Sequence, residues 1–448
     1  MNKSQNLFIL YLYFFILISC SFDNRTGIWK DKSKELKIET LGENIKPVFS
    51  KVEKLKKETT SDVLVEISEP LNSFEWLQEN LSHNNLVPHL EYENKKNLLF
   101  KSQKIAKKIS SKVSDFEPLI LNNNIFFYDN SGSIYNYSLE TRDIVWKFNF
   151  YKKKFRKIPI SISLNIQTEN LIASDNLGYL YSLDLNSGQI NWAKNYGVPF
   201  RSNIKALEQY MFAINQDNKF YGIRNVDGEK VLDLETFPSF LQSVQKANIS
   251  IDKVNKNIYF ITSAGEVYSI NYETNIINWI YKTTARSSDK SVDLFFSSPI
   301  ISEGNNIIIS TSLSTLSINY LTGSINWEVP FSTYIRPVIS KDFIFLISEN
   351  GFIVCLDKNN GNIIWSKNIF NKSKKINEKN IGKVTSLILA SDQIILTTKK
   401  GYFLYLNYKS GKIINYARGD KSGFFSKPVI VNKNIYIINT KGQILVFN

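Results

Sequence analysis

The sequence predicts an all-β protein, an eight-bladed β-propeller of four-stranded antiparallel blades, and three observations carry that prediction. A glycine precedes a tryptophan by fourteen residues at Gly132–Trp146, Gly178–Trp192, Gly265–Trp279 and Gly351–Trp365, and Leu313–Trp327 keeps the spacing without the glycine. The unit recurs from residues 132, 178, 218, 265, 313, 351, 401 and 442, in steps of 46, 40, 47, 48, 38, 50 and 41, a period suited to propeller blades. Within a unit the apolar runs are short and come in fours, as "PVIS", "DFIFLIS", "FIVCLD" and "IIWSK" do in the sixth, with Asn, Asp, Lys and Gly between them.

Composition agrees with a globular chain. Of 448 residues, 43% are hydrophobic and 21% charged, and the 13% aromatic content alongside abundant Ile, Asn and Thr leans towards strands. The formal net charge of +14 raises nucleic acid or anionic lipid as partners. Lysine and asparagine, however, are spread along the whole chain, and runs such as "YKKKF" (151–155) and "KSKK" (372–375) fall between apolar strands. They read as solvated loops, and no nucleic-acid partner is expected.

Lys3 precedes an apolar run from Leu7 to Ile18, too short to cross a bilayer as a mature helix but the length of a signal h-region. Leu17-Ile18-Ser19-Cys20 resembles the lipobox of bacterial lipoproteins, which implies a signal peptide over 1–19 and lipidation of Cys20. In Gram-negative lipoproteins, Ser21 in place of Asp implies transfer to the outer membrane. The only other cysteine, Cys355, lies in an apolar strand pattern and reads as a small buried hydrophobe. Residues 20–68 are charged and poor in large apolar groups, and they read as a flexible tether to a propeller over 69–448.

Inside the repeats, Pro118, Pro337 and Pro428 stand fourteen residues before a glycine and Pro299 fourteen before Leu313, each opening an inner strand where a missing N–H is tolerated. The tryptophans are expected at the blade junctions, each burying a large ring against the next blade and giving its indole N–H to a loop carbonyl. A membrane β-barrel needs longer strands with a lipid-facing row, and these are short, grouped in fours and often apolar on both faces. The eighth unit stops with the chain at "GQILVFN", so its outer strand must come from elsewhere, since an open edge invites pairing with other chains. Residues 96–108 are the expected donor, pairing near Leu445 and Phe447.

Ser182, Asp184, Gly188 and Trp192 fit the repeat A-x-D-x-x-x-G-x-x-x-W of the pyrroloquinoline-quinone (PQQ) type propellers, and Ser317, Asn319, Gly323 and Trp327, with Cys355, Asp357, Gly361 and Trp365, fit it with small departures. The resemblance covers roughly 115 to 448. It specifies a blade class, not an activity. Quinone-dependent members carry adjacent cysteines and an acidic calcium site. This chain has no adjacent cysteines, and its two histidines, His83 and His89, lie before the ring without a third ligand. The sequence therefore reads as a binding scaffold with no cofactor, metal or catalytic residue.

A tethered, non-enzymatic propeller of this kind resembles the BamB family of accessory lipoproteins, and "EPLNSFEWLQENLSHNN" (69–85), with Pro70, Asn72 and Trp76, is similar to the pre-propeller segment of its proteobacterial members. The resemblance implies docking to the periplasmic POTRA domains of the barrel-forming subunit of the β-barrel assembly machinery, assisting insertion of outer-membrane proteins. It also implies a partner loop between the second and third units, where Val198, Phe200 and Arg201 fit an apolar-x-apolar-Arg pattern and an exposed aromatic is expected. The family's acidic pair would fall near Ser243-Val244-Gln245, where this chain has no carboxylate. A quinone-dependent dehydrogenase and a cell-wall or polysaccharide-binding lipoprotein are the alternatives.

Overall fold

Strands that are apolar on both faces need cover on both. Phe343–Ile347 is buried throughout, and Phe352–Asp357 is buried up to its last residue. A sheet of such strands is stable only between two others, and a ring of sheets provides that for every member. The computed structural model has this architecture and describes residues 57–448, apart from 107–108, 110–115, 152–154, 156, 238–245, 284–295 and 371–375. Cys20, the signal peptide and Ser243–Gln245 lie outside the described residues.

Among the described residues the blade strands form eight antiparallel sheets, seven of four strands and one of five. Blade 1 runs outward from the axis as Leu119–Leu121, Asn124–Tyr128, Ile134–Ser138 and Asp143–Phe148. Blades 2 to 7 follow over 162–195, 205–234, 249–282, 301–329, 338–368 and 384–418. Blade 8 takes Val429–Val431, Asn434–Ile438 and Ile444–Phe447 from the C-terminus, and its outermost strand is Leu98–Lys101. Leu98 faces Phe447 and Lys101 faces Leu445, so the two ends of the repeat array share one sheet.

The repeat motif has a geometric meaning at each junction. Trp146 donates its indole N–H to Leu185 O of blade 2 (2.9 Å), Trp192 to Asn225 O of blade 3 (3.0 Å), and Trp279 to Tyr320 O of blade 5 (2.8 Å). Trp327 reaches Lys358 O of blade 6 (2.8 Å) and Trp365 reaches Tyr408 O of blade 7 (3.1 Å). The motif's small residue faces the tryptophan across the sheet, as Ser182 faces Trp192, Ser317 faces Trp327 and Cys355 faces Trp365. Cys355 is fully buried there, and burial pushes its thiol pKa up, which makes it inert. The motif's acid builds the turn: Asp184 Oδ1 accepts from the N–H groups of Asn186 and Ser187 (3.2 and 2.7 Å).

The motif's glycine receives the ring of the preceding blade. Gly188 has φ +68°, and a Cβ there would stand 2.5 Å from Trp146 Cδ2. Where the tryptophan is missing the glycine is missing too. Blade 3 carries Leu232 at that position, and the facing turn of blade 4 uses Asn275 at φ 59°. At the seam, Phe100 stands opposite Val446, four residues after Gly442, just as Trp365 stands opposite Cys355, four after Gly351. Arg142 lies over the Phe100 ring with its guanidinium 5.4 Å from the centroid. A phenylalanine and an arginine thus replace tryptophan and glycine where the ring closes.

Residues 57–68, read from the sequence as the end of the tether, are instead packed on the ring. Thr59–Thr60 pairs with the outer strand of blade 6 as its fifth strand, and Val65 is buried in the core of blades 6 and 7. An unpaired outer strand offers free backbone groups to any neighbouring extended chain, which is the physical reason the segment adheres.

These contacts predict the costs of two substitutions. Gly188→Ala places a methyl into the Trp146 ring at a positive φ, and equilibrium denaturant unfolding should show a loss of about 2–4 kcal/mol. Asn275→Ala, where no tryptophan faces the turn, should lose only about 1 kcal/mol.

Candidate functional site

Propeller blades surround a central channel, so the occupants of that channel define the site. Here the chain fills it with its own residues. After Val65, Ser68 N donates to Ser340 Oγ on the innermost strand of blade 6 (2.8 Å). Trp76 exchanges both backbone hydrogen bonds with Ile120 of blade 1 (2.8 and 2.9 Å), and Leu77 O accepts from Ile166 N of blade 2 (2.8 Å). Lys205 of blade 3 donates to Glu79 O and Ser82 O (2.8 and 2.6 Å). His83 O accepts from Ile251 N of blade 4 (2.9 Å), and Asn85 Nδ2 donates to Ile249 O of blade 4 and Ile300 O of blade 5 (2.9 and 2.8 Å). On the return, Leu90 N donates to Leu389 O of blade 7 and Glu93 N to Lys433 O of blade 8 (both 3.0 Å).

A buried charge network fixes the middle of this segment. Glu117, which opens blade 1, accepts from Trp76 Nε1 (2.9 Å), Asn80 N (2.7 Å) and Arg336 Nη1 (2.9 Å). Arg336 precedes the inner strand of blade 6 and donates also to Asn80 Oδ1 (2.9 Å). Glu117 and Arg336 are 3% and 6% exposed, so deleting either leaves a desolvated charge without its partner. Lys246 pairs with Glu79. Burial pushes the Lys205 ammonium down to about 7 against the pull of Glu79 and Glu117. The cleft between Glu79, Asn80, Phe116, Glu117, Asn248 and Lys427 has the size of a water, not of a cofactor.

The two histidines belong to this segment. The His89 ring is fully buried, its Nε2 accepting from Asp392 N (3.1 Å) and its Nδ1 lying 2.6 Å from Ser68 O. A backbone N–H only donates, so Nε2 is unprotonated and Nδ1 carries the hydrogen given to Ser68 O. Both nitrogens are engaged by backbone. Among the described residues no group of three or more His, Cys, Asp or Glu is placed to hold a metal ion.

The connection between blades 2 and 3 corrects one expectation. Phe200 is 6% exposed and packs edge-on against Tyr196, with ring centroids 5.3 Å apart, in the core shared with Tyr221. Arg201 is 9% exposed, its Nη2 donating to Asn218 Oδ1 (3.0 Å), which in turn accepts from Ser263 N of blade 4 (2.8 Å). Burial pushes its guanidinium down to about 10. Phe200 N bonds to Asp175 O and Arg201 N to Ile214 O (3.0 and 2.9 Å), and this pairing turns both side chains inward. Only Gly197 is exposed at the tip, with Val198 and Pro199 half-buried. Neither Phe200 nor Arg201 offers the exposed aromatic or free guanidinium that the loop pattern implied. The five junction tryptophans are brought to neither the channel nor this tip.

Fold and site define the class first: a propeller of the PQQ-type repeat whose channel is occupied by its own pre-propeller segment. The family model described as "Outer membrane protein assembly factor BamB" matches residues 110–367, and the chain belongs to that family. Relatives of that name include the protein of Shewanella oneidensis, 20% identical over 349 residues that span 74% of this chain and 84% of that one. The protein of Yersinia pestis is 17% identical over 358 residues, 77% of this chain and 87% of its own. The solved structure of BamB from Moraxella catarrhalis matches with a TM-score of 0.62 at 14% identity, covering 79% of this chain and 99% of that one. A europium-containing methanol dehydrogenase matches at 0.63 and 10% identity, covering 81% and 89%. These two structures establish the shared propeller alone.

The site predicts two measurable effects. Burial, aided by Lys253 and Lys205, lowers the pKa of His83 from 6.5 to about 4. The unfolded chain therefore binds the proton more readily between these values, and stability falls as pH drops from 6.5 towards 4. In His83→Asn, denaturant midpoints should fall less steeply over that window. Phe200→Ala should lose about 3–4 kcal/mol of stability and Arg201→Glu should prevent folding, as read by thermal melting, because each vacates or recharges a buried position.

Proposed function

We propose that this chain is a non-enzymatic scaffold lipoprotein of the outer-membrane β-barrel assembly machinery. It is anchored in the outer membrane of a Gram-negative bacterium by acyl chains on Cys20 and faces the periplasm. It docks to the POTRA domains of the barrel-forming subunit and assists insertion of outer-membrane proteins. Membership of the family supports this reading, as does the lipobox. The observation that carries it over a quinone-dependent dehydrogenase is the filled channel. A cofactor pocket needs a cavity of roughly 300 Å³ or more, and the axis holds the fully buried Trp76 and the Glu117–Arg336 pair instead.

The docking surface is assigned to the tip of the connection between blades 2 and 3, with Val198 as the contacting side chain and Phe200 and Arg201 as its foundation. An apolar tip on a rigid base loses little conformational entropy on binding. The described chain begins beside blade 6, where Thr59–Thr60 pairs, across the ring from this tip.

Affinity purification from detergent-solubilised membranes tests the assignment, with the barrel-forming subunit expected in the eluate. Cys20→Ala should abolish acyl labelling and normal processing, and unchanged labelling would remove the anchor from the account. Val198→Asp should keep the wild-type melting curve and weaken binding to purified POTRA domains about tenfold or more. Unaltered affinity would move the docking surface elsewhere on the ring.

A further inference from the structure

Between Glu58 and Glu93 the chain carries eight carboxylates and neither lysine nor arginine, in a protein of net charge +14. The ring answers this segment with cations. Lys367 pairs with Glu58 (3.4 Å), Lys341 with Glu66 (3.1 Å), Lys246 with Glu79, and Lys433 with Glu91 (2.9 Å). Lys205 points its ammonium at backbone carbonyls of the same stretch. The Lys246–Glu79 pair is largely buried at the channel, the Glu66 and Glu91 pairs lie in turns that follow inner strands, and Glu58–Lys367 lies on the outer strand of blade 6, so segment and ring are complementary in charge as well as in hydrogen bonding.

We propose that the channel wall is a binding site whose ligand is the chain's own acidic segment, and that residues 65–93 are the axle that locks the eight blades into one cooperative unit. In a ring of repeats each blade touches only its neighbours, so a single junction can open while the rest stays folded. The axle removes that independence, because it bonds to all eight blades. Separating it would strip Glu117, Arg336 and Lys205 of partners together, and each is more than nine-tenths buried. The strand pairing at Leu98–Lys101 closes the ring at its rim, and the axle closes it at the centre. It also follows that no extended client chain or small molecule threads this ring. Its binding partners are confined to the two faces and the rim.

Native-state hydrogen exchange on the full-length protein in low denaturant tests this directly. The donors Trp76 N and Leu90 N of the axle, a strap across the inner strands, should exchange within about threefold of Ile172 N and Phe345 N, residues of central blade strands, and all should follow one denaturant dependence. Exchange of the strap amides about a hundredfold faster, with the blades still protected, would make the segment a detachable lid and overturn the proposal. Glu79→Gln provides a second reading, since it removes one ion pair and keeps the shape. If the axle couples the blades, the variant accelerates exchange in blade strands and strap together. Acceleration confined to residues 65–93 would overturn the proposal, and should the variant not fold, the wild-type comparison decides.

Discussion

Everything in this molecule depends on covering sheets that are apolar on both faces. A single blade would leave about half of its large side chains in water, so no blade is stable alone and the array must close. The five-fold repeated contact of an indole ring on a neighbouring glycine, with its N–H on a neighbouring carbonyl, is how most junctions meet that demand. An indole buries on the order of 150–250 Å² and satisfies its one polar atom in the same step. That combination explains why Trp and Gly recur together and why they vanish together at the junction of blades 3 and 4.

How much of this was legible in the sequence follows from the range of each interaction. Gly188, Trp192, Cys355 and Trp365 repeat because each blade solves the same local problem, so the blade class and the blade count could be read from spacing. Phe100 does the work of a tryptophan, but it precedes the repeats and has no periodic partner to betray it. The inward turn of Phe200 and Arg201 was not readable from an apolar-Arg pattern. Local chemistry does not reveal that Asn218, 17 residues onward (218 − 201), waits to receive the guanidinium, itself held by Ser263, 62 residues onward (263 − 201). The axle was also hidden, since its partners range from Glu117 to Asn448. The signal that points to it was present nonetheless: a stretch without a single cation in a strongly basic chain.

The same propeller serves dehydrogenases and assembly factors because the fold supplies a rim, two faces and a channel, and function is decided by which of these stays open. In this chain the channel is sealed by Trp76, Glu117 and Arg336, and the exposed surface lies in turns, connections and the outermost strands. The net positive charge does not need a polyanionic partner to explain it. Part of it neutralises the acidic segment, and the rest is dispersed over solvated loops.

If the chain's own segment fills the channel, the axis has no room for a quinone cofactor. Titrating the purified protein with pyrroloquinoline quinone in the presence of calcium, followed by tryptophan fluorescence and calorimetry, tests it most directly. A filled channel gives no saturable binding and no change in melting temperature. Stoichiometric binding with a raised melting temperature would contradict it, because the quinone could reach the axis only by displacing the segment placed there.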